Sequence, residues 1–223
     1  MNNWQGIVDW EDTSIRYDQT NNTTEEIIRK IKHEMIKKLK KNIPKKYWNI
    51  LNKQTGYLEL CGHSAFLCIM QGMKFLPEKY NNGFKLGNLY AQMEDIVASI
   101  SNQRRYNRLF HSGNGMDNRY LDTYPVLARE LFGCKAEVIT DLSFFDILEY
   151  LWNGIGVQLW LREPSHYIAA ISANKIEALL KYNDSWGSRK GLKNRGLHEI
   201  MDLEEYRNNV HPYAIVYHKK SGV

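Results

Sequence analysis

The order of apolar patterns along the chain predicts an α+β fold, in which helices come first and an antiparallel sheet follows. Helical spacing dominates the first 132 residues, whereas β-rich apolar runs follow one another from residue 155 onward. Helices grouped ahead of a run of strands are typical of this class. No repeat or linker divides the chain. We therefore expect a single domain over residues 1–223, with an N-terminal helical extension at 1–53 and the core at 54–218.

Amphipathic patterns predict the helices of the first half. Apolar residues at helical spacing indicate a helix over 24–41, and a short helix is expected over 44–51. The next helix opens at Cys61 and is apolar nearly all round through Met73, which predicts burial on every side. Another amphipathic helix covers 89–100, and a long loop follows it.

The second half changes from helical to strand patterns. A helix over 126–132 should stop at Gly133, a strand should follow over 134–140, and Asp141 is expected to cap a helix that ends at Gly154. Four β-rich runs then succeed one another: IGVQLWL, HYIAAIS, IEALLKY and YAIVYH.

Composition narrows the function classes. Hydrophobic content of 43% and charged content of 25% are ordinary for a soluble globular protein. The net charge of +5 is too small for a dedicated nucleic-acid binder, so we expect no nucleic-acid partner. The lysines over 37–46 allow a phosphate-binding patch, but a solvated helix face explains them as well and is the interpretation we prefer.

The termini and cysteines indicate the compartment. The first residues lack the basic start and apolar run of a signal peptide, and the longest apolar run, 65–70, is too short to cross a membrane. The three cysteines cannot all pair, and they lack the close spacing of zinc ligands. We therefore expect a cytoplasmic protein with no membrane partner and no metal or organic cofactor.

Cys61 is the first candidate for chemistry, in the segment YLELCGHSAFLCIMQG. A free cysteine is usually a buried, inert residue, so a reactive role requires a base and a group that orients the base. Of the seven histidines, His166 is the best candidate, because it stands where a turn enters an apolar strand.

The partner of His166 is expected at the end of the next strand. If the two strands form a hairpin around Asn174 and Lys175 with a two-residue turn, His166 faces Asn183; a loop one residue longer makes the partner Asp184. An ordinary hairpin with a polar mouth would explain either residue taken alone. A histidine and its partner residue, combined with a cysteine at the start of a helix, favour a catalytic site over an ordinary hairpin. The helix dipole favours a thiolate, an imidazolium stabilises it, and the third residue orients the ring.

The segments CGHSA, PSHYIAAI and NDSWG, in this order, resemble the papain-like cysteine peptidases, in the branch of the bacteriocin double-glycine leader peptidases. The resemblance covers roughly residues 54–218. It implies Asp184 as the third member of a catalytic triad, Trp186 as a shield of the His–Asp hydrogen bond, and Gln54 as an oxyanion-hole donor beside the backbone N–H of Cys61. The sequence departs from the family pattern at His63, where many relatives have proline, and at Ser185, which replaces the usual proline after the aspartate.

The resemblance implies a papain-like fold, with a helical half carrying the nucleophile and an antiparallel sheet half. It also implies a thiol-dependent hydrolase that cleaves a peptide or isopeptide bond in a peptide or protein substrate, through an acyl-enzyme on Cys61. One alternative is acyl transfer to an amine, as in transglutaminase-type proteins, which use the same Cys-His-Asp set. The other is a catalytically silent binding module on the same scaffold, in which Cys61 would not react with electrophiles at neutral pH.

Overall fold

The computed structural model of the protein describes residues 3–7, 61–76, 89, 92, 93, 96, 123–163, 165–184 and 198–219. This part of the chain is mixed α/β, with an open antiparallel sheet of seven strands. The combination of helices with an antiparallel sheet is therefore confirmed. The helices with complete bounds are α1 (Cys61–Gly72), α2 (Thr123–Phe132), α3 (Phe144–Trp152) and α4 (Leu203–Asn209). The strands are β1 (Gln5–Gly6), β2 (Ala136–Thr140), β3 (Gly156–Leu161), β4 (His166–Asn174), β5 (Leu179–Asn183), β6 (Glu199–Met201) and β7 (Val210–Tyr217).

The strands follow one another across the sheet in the order β2-β7-β3-β4-β5-β6, and every neighbouring pair is antiparallel. The short β1 also pairs with β4, at Ser172 and Ala173, beyond Ala170, which faces the start of β3. β4 is buried along its whole length, as expected of a central strand covered on both faces.

Helices cover both faces of the sheet. One core cluster joins α1 and α2 to side chains such as Tyr167 and Tyr217. The other cluster joins α3 and Tyr206 of α4 to side chains such as Ile168. α3 lies between two strands in the sequence, as predicted, whereas α4, between β6 and β7, was not predicted.

The hairpin between β4 and β5 differs from the predicted two-residue turn. The loop spans residues 175–178, and Asn174 closes it because its side-chain oxygen accepts the backbone N–H groups of Ile176 and Glu177. The register also shifts by one residue between Ala170 and Ser172, which leaves Ile171 as an extra residue in β4. Asn183 therefore faces Ala169 rather than His166, and the predicted pairing of His166 with Asn183 is wrong.

Several local predictions are confirmed and others are corrected. α1 begins at Cys61 and its residues from Gly62 onward are buried, while α2 ends before Gly133, which adopts a positive φ of 62°. The N-cap of α3 is Ser143 rather than Asp141. Ser143 accepts the backbone N–H of Asp146, and the Asp146 carboxylate accepts from Ser143 in return.

The expected helices over 24–41 and 44–51 and the loop after residue 100 lie outside the described residues. Leu89, Met93 and Ile96 are helical, as predicted, and the first two are buried. Among the described segments, no helix is long and apolar enough to cross a membrane. The single-domain organisation over residues 1–223 stays a prediction.

Candidate active site

A buried histidine–carboxylate pair lies at one end of the sheet. His166, the first residue of β4, donates from Nε2 to Oδ1 of Asp184 at 2.6 Å. The His166 side chain is 3% exposed and that of Asp184 is fully buried. Charge-assisted hydrogen bonds in such surroundings are short and strong, because little water competes for the two groups. The contact therefore fixes both the position and the tautomer of the imidazole.

The bulge in β4 explains why Asp184 and not Asn183 contacts His166. Extending the register Ala169–Asn183 by one residue places Asp184 opposite Ile168, on the same sheet face as His166 and diagonal to it. Without the extra residue Ile171, the alternation would present Asn183 on that face instead. One inserted residue thus selects the carboxylate.

On the opposite face of the sheet, Asn183 connects β5 to neighbouring elements. Its side-chain oxygen accepts the backbone N–H of His198 at 2.9 Å, and its Nδ2 donates to Sγ of Cys68 at 3.5 Å. His198 stands at the start of the segment that leads into β6 and has a positive φ of 54°. Asn183 therefore ties the end of β5 both to α1 and to the entry of β6.

The third group at the site is the thiol of Cys61. Cys61 is the first residue of α1, is partly exposed, and hydrogen-bonds to the His166 side chain. Since Nε2 is engaged by Asp184, Nδ1 is the ring nitrogen left for the thiol. The imidazole therefore lies between the thiol of a partly exposed cysteine and a fully buried carboxylate.

The surroundings of His166 favour its charged form. Burial lowers the pKa of His166, but the hydrogen bonds and charges of Asp184 and Cys61 outweigh it and raise this pKa from 6.5 to about 9. His166 is consequently an imidazolium at neutral pH. Cysteine is nucleophilic as the thiolate, so a positive charge next to a thiol is one of the features that thiol catalysis requires.

The other two cysteines lack these conditions. Burial raises the pKa of the Cys68 thiol to about 12, despite the opposing hydrogen bond from Asn183. Cys134 is 1% exposed at the entry to β2. Of the three thiols, only Cys61 combines exposure with a basic partner.

Gly62 allows α1 to approach its neighbours closely. A Cβ atom at this position would overlap the hydroxyl of Tyr124 and lie 2.8 Å from its Cζ and 3.1 Å from Cδ2 of Tyr167. Any larger residue beside Cys61 would thus push the start of α1 away from α2 and β4. The close approach explains why a glycine follows the cysteine.

An aromatic group next to the site supports the start of β4. The Trp160 ring of β3 stacks on His211 at 3.9 Å between centroids and also lies against Tyr213. Its Nε1–H donates to Oγ of Ser165, the residue before His166, at 2.8 Å. The rings and this hydrogen bond therefore hold the entry to β4 against β3.

Sequence reasoning missed Gln158, although the signal was present as one polar residue in the apolar run of β3. Gln158 is 1% exposed, and its Nε2 donates to the Gly62 carbonyl at 3.2 Å. Its Oε1 accepts from the Tyr217 hydroxyl at 2.6 Å. A buried amide thus connects the centre of the sheet to the residue beside the candidate nucleophile.

Three of the four predicted site residues, Cys61, His166 and Asp184, come together. Gln54 and Trp186 lie outside the described residues. In the part of the chain that the structure describes, no group of three His, Cys, Asp or Glu side chains is arranged to hold a metal ion. The chain matches no protein-family model, and no similar protein was found among curated sequences.

Proposed function

We propose that the protein is a papain-like thiol hydrolase, which cleaves a peptide or isopeptide bond through an acyl-enzyme on Cys61. The observation that carries the proposal is the position of His166, which is hydrogen-bonded to a buried carboxylate and to the thiol of Cys61. A nucleophile, a base and a group that orients the base are what thiol-dependent acyl transfer requires. A nucleophile helix packed against an antiparallel sheet that carries His166 and Asp184 agrees with the papain-like arrangement.

In the proposed reaction, the Cys61 thiolate, paired with the His166 imidazolium, attacks the carbonyl carbon of the substrate amide. A carbon–sulfur bond forms, and the carbon–nitrogen bond then breaks as the imidazolium gives its proton to the departing amine. Water attacks the resulting thioester while His166 accepts one of its protons. The carboxylic acid leaves, and the pair of Cys61 thiolate and His166 imidazolium is restored.

The remaining groups have supporting roles. Asp184 keeps His166 oriented and stabilises its imidazolium form each time that the ring is protonated. The backbone N–H of Cys61 belongs to the first turn of α1, whose N–H groups have no acceptor within the helix, and it can donate to the oxyanion. Gln54 is proposed as the second donor, on the basis of the sequence resemblance.

The test is digestion of a mixed peptide library in water enriched in heavy oxygen, with and without an added primary amine. Hydrolysis predicts product carboxylates that carry one heavy oxygen, whereas acyl transfer predicts amine adducts without it. Both products should vanish in Cys61→Ala and persist in Cys68→Ala, the matched control in the same helix. Products that persist in a folded Cys61→Ala protein would overturn the proposal. The absence of any product from the wild type would favour a silent binding module.

A further inference from the structure

We infer that Gln158 is a positioning residue, which orients the start of α1 so that the Cys61 thiol meets His166. The inference rests on the proposed function, because positioning matters only if Cys61 and His166 act together. Gln158 lies in β3, in the middle of the sheet, and does not contact the reacting groups through any hydrogen bond that the described residues show.

The side-chain amide of Gln158 is buried within the sheet. Gln158 is 1% exposed in a strand whose other inward side chains, such as Val157 and Leu159, are apolar. A buried amide is tolerated only when its donor and acceptor have partners, and Gln158 uses both. An apolar residue of similar size would fill the same space without needing hydrogen-bond partners. The presence of an amide at this position therefore indicates a specific role.

The two hydrogen-bond partners of Gln158 hold its amide in one direction. Oε1 accepts from the hydroxyl of Tyr217, and Nε2 therefore points to the Gly62 carbonyl. A flipped amide would set its oxygen against that carbonyl oxygen, which is repulsive. Burial raises the pKa of Tyr217 well above its ordinary value, so its hydroxyl keeps the proton that it donates. The two hydrogen bonds of Gln158 can therefore form in only one orientation of its amide.

The hydrogen bonds from Tyr217 through Gln158 end at the residue next to Cys61. The Gly62 carbonyl follows Cys61 directly in the first turn of α1, and Gly62 also lies closely against Tyr124. The aromatic contact limits how near the helix can come to its neighbours. The bond from Gln158 limits how the first turn rotates about the helix axis, and that rotation sets the direction of the Cys61 side chain.

The test measures the alkylation rate of Cys61 by iodoacetamide at mildly acidic and neutral pH, in Gln158→Met and in the wild type. Methionine has a similar volume but cannot donate to the Gly62 carbonyl. We expect the rate to fall about tenfold, less than the roughly hundredfold effect of a full 1 Å misplacement at a reacting centre. The matched control is Ile69→Val, which trims a buried side chain of the same helix and should lower Tm while leaving the rate unchanged.

A wild-type rate in Gln158→Met, at every pH and with a lowered Tm, would overturn the inference and leave Gln158 with a structural role alone. If Gln158→Met does not fold, Gln158→Glu replaces it. Its ionised carboxylate cannot donate to Gly62, so its rate relative to the wild type should rise as the pH falls and the carboxyl gains a proton. A constant ratio would equally overturn the inference. Slow alkylation of Cys61 in the wild type itself would count against the proposed function instead.

Discussion

Replacing Asp184 by asparagine should remove the charge that keeps His166 protonated. The pKa of about 9, against an ordinary value of 6.5, corresponds to about 3 kcal/mol in favour of the imidazolium, or about three hundredfold in its population. Burial lowers this pKa and Cys61 still raises it, so with an uncharged amide at position 184 it should fall well below that of the wild type. A smaller fraction of His166 would then be charged at neutral pH. Because a neutral ring cannot balance a thiolate, we expect alkylation of Cys61 to slow about a hundredfold.

The assay is iodoacetamide addition between about pH 5 and pH 9, followed by mass spectrometry of the peptide that contains Cys61. The raised pKa means that the imidazolium predominates below about pH 9 in the wild type, so fast alkylation should extend through neutral into mildly acidic solution. In Asp184→Asn the rate should be low in mildly acidic and neutral solution and rise only at the alkaline end of the range, where an ordinary thiol ionises. Asn183→Ala, which changes the adjacent residue on the other sheet face, is the matched control. A folded Asp184→Asn protein with the wild-type profile would refute the reasoning.

Three further changes test the surroundings of the site. Gly62→Ala should lower the free energy of unfolding in urea by about 2 kcal/mol because its methyl group overlaps the Tyr124 hydroxyl. The loss should be smaller in a Tyr124→Phe background, which lacks that hydroxyl. Equal losses in the two backgrounds would contradict this explanation. Asn183→Ala should cost about 1–2 kcal/mol of stability through the lost hydrogen bonds to His198 and Cys68. It should leave Cys61 alkylation nearly unchanged, and a loss as large as that in Asp184→Asn would show that the assignment is wrong. Cys68, with a thiol pKa of about 12, and the buried Cys134 should be alkylated only after unfolding; early labelling of either in the native protein would contradict the structure.

Local patterns in the sequence were sufficient to predict the larger elements. α1 could be predicted because its apolar residues continue on every side of the helix, and all but its first residue are buried. The end of α2 could be predicted because Gly133 supplies the positive φ of a helix C-terminus. The short strands β1 and β6 could not, because two or three residues show no period and are strands only through their pairing with β4 and β5.

The pairing at the site depended on features that a sequence pattern does not reveal. Ile176 resembles the start of an apolar strand, yet it is 77% exposed in the loop that Asn174 closes. The bulge at Ile171 then shifts the register again. Alternation along β5 therefore could not decide between Asn183 and Asp184. The resemblance to papain-like peptidases predicted the carboxylate, and the structure places that carboxylate on His166.

The central claim is that Cys61, activated by His166, is the group that accepts the acyl chain. It is tested most directly by treating the native protein with a library of peptides that carry a thiol-trapping electrophile and identifying the labelled residue by mass spectrometry. The account predicts covalent label on Cys61, with labelling abolished in Cys61→Ser and strongly slowed in His166→Ala. Label on Cys68 or Cys134, or equal labelling of Cys61 with and without His166, would contradict it.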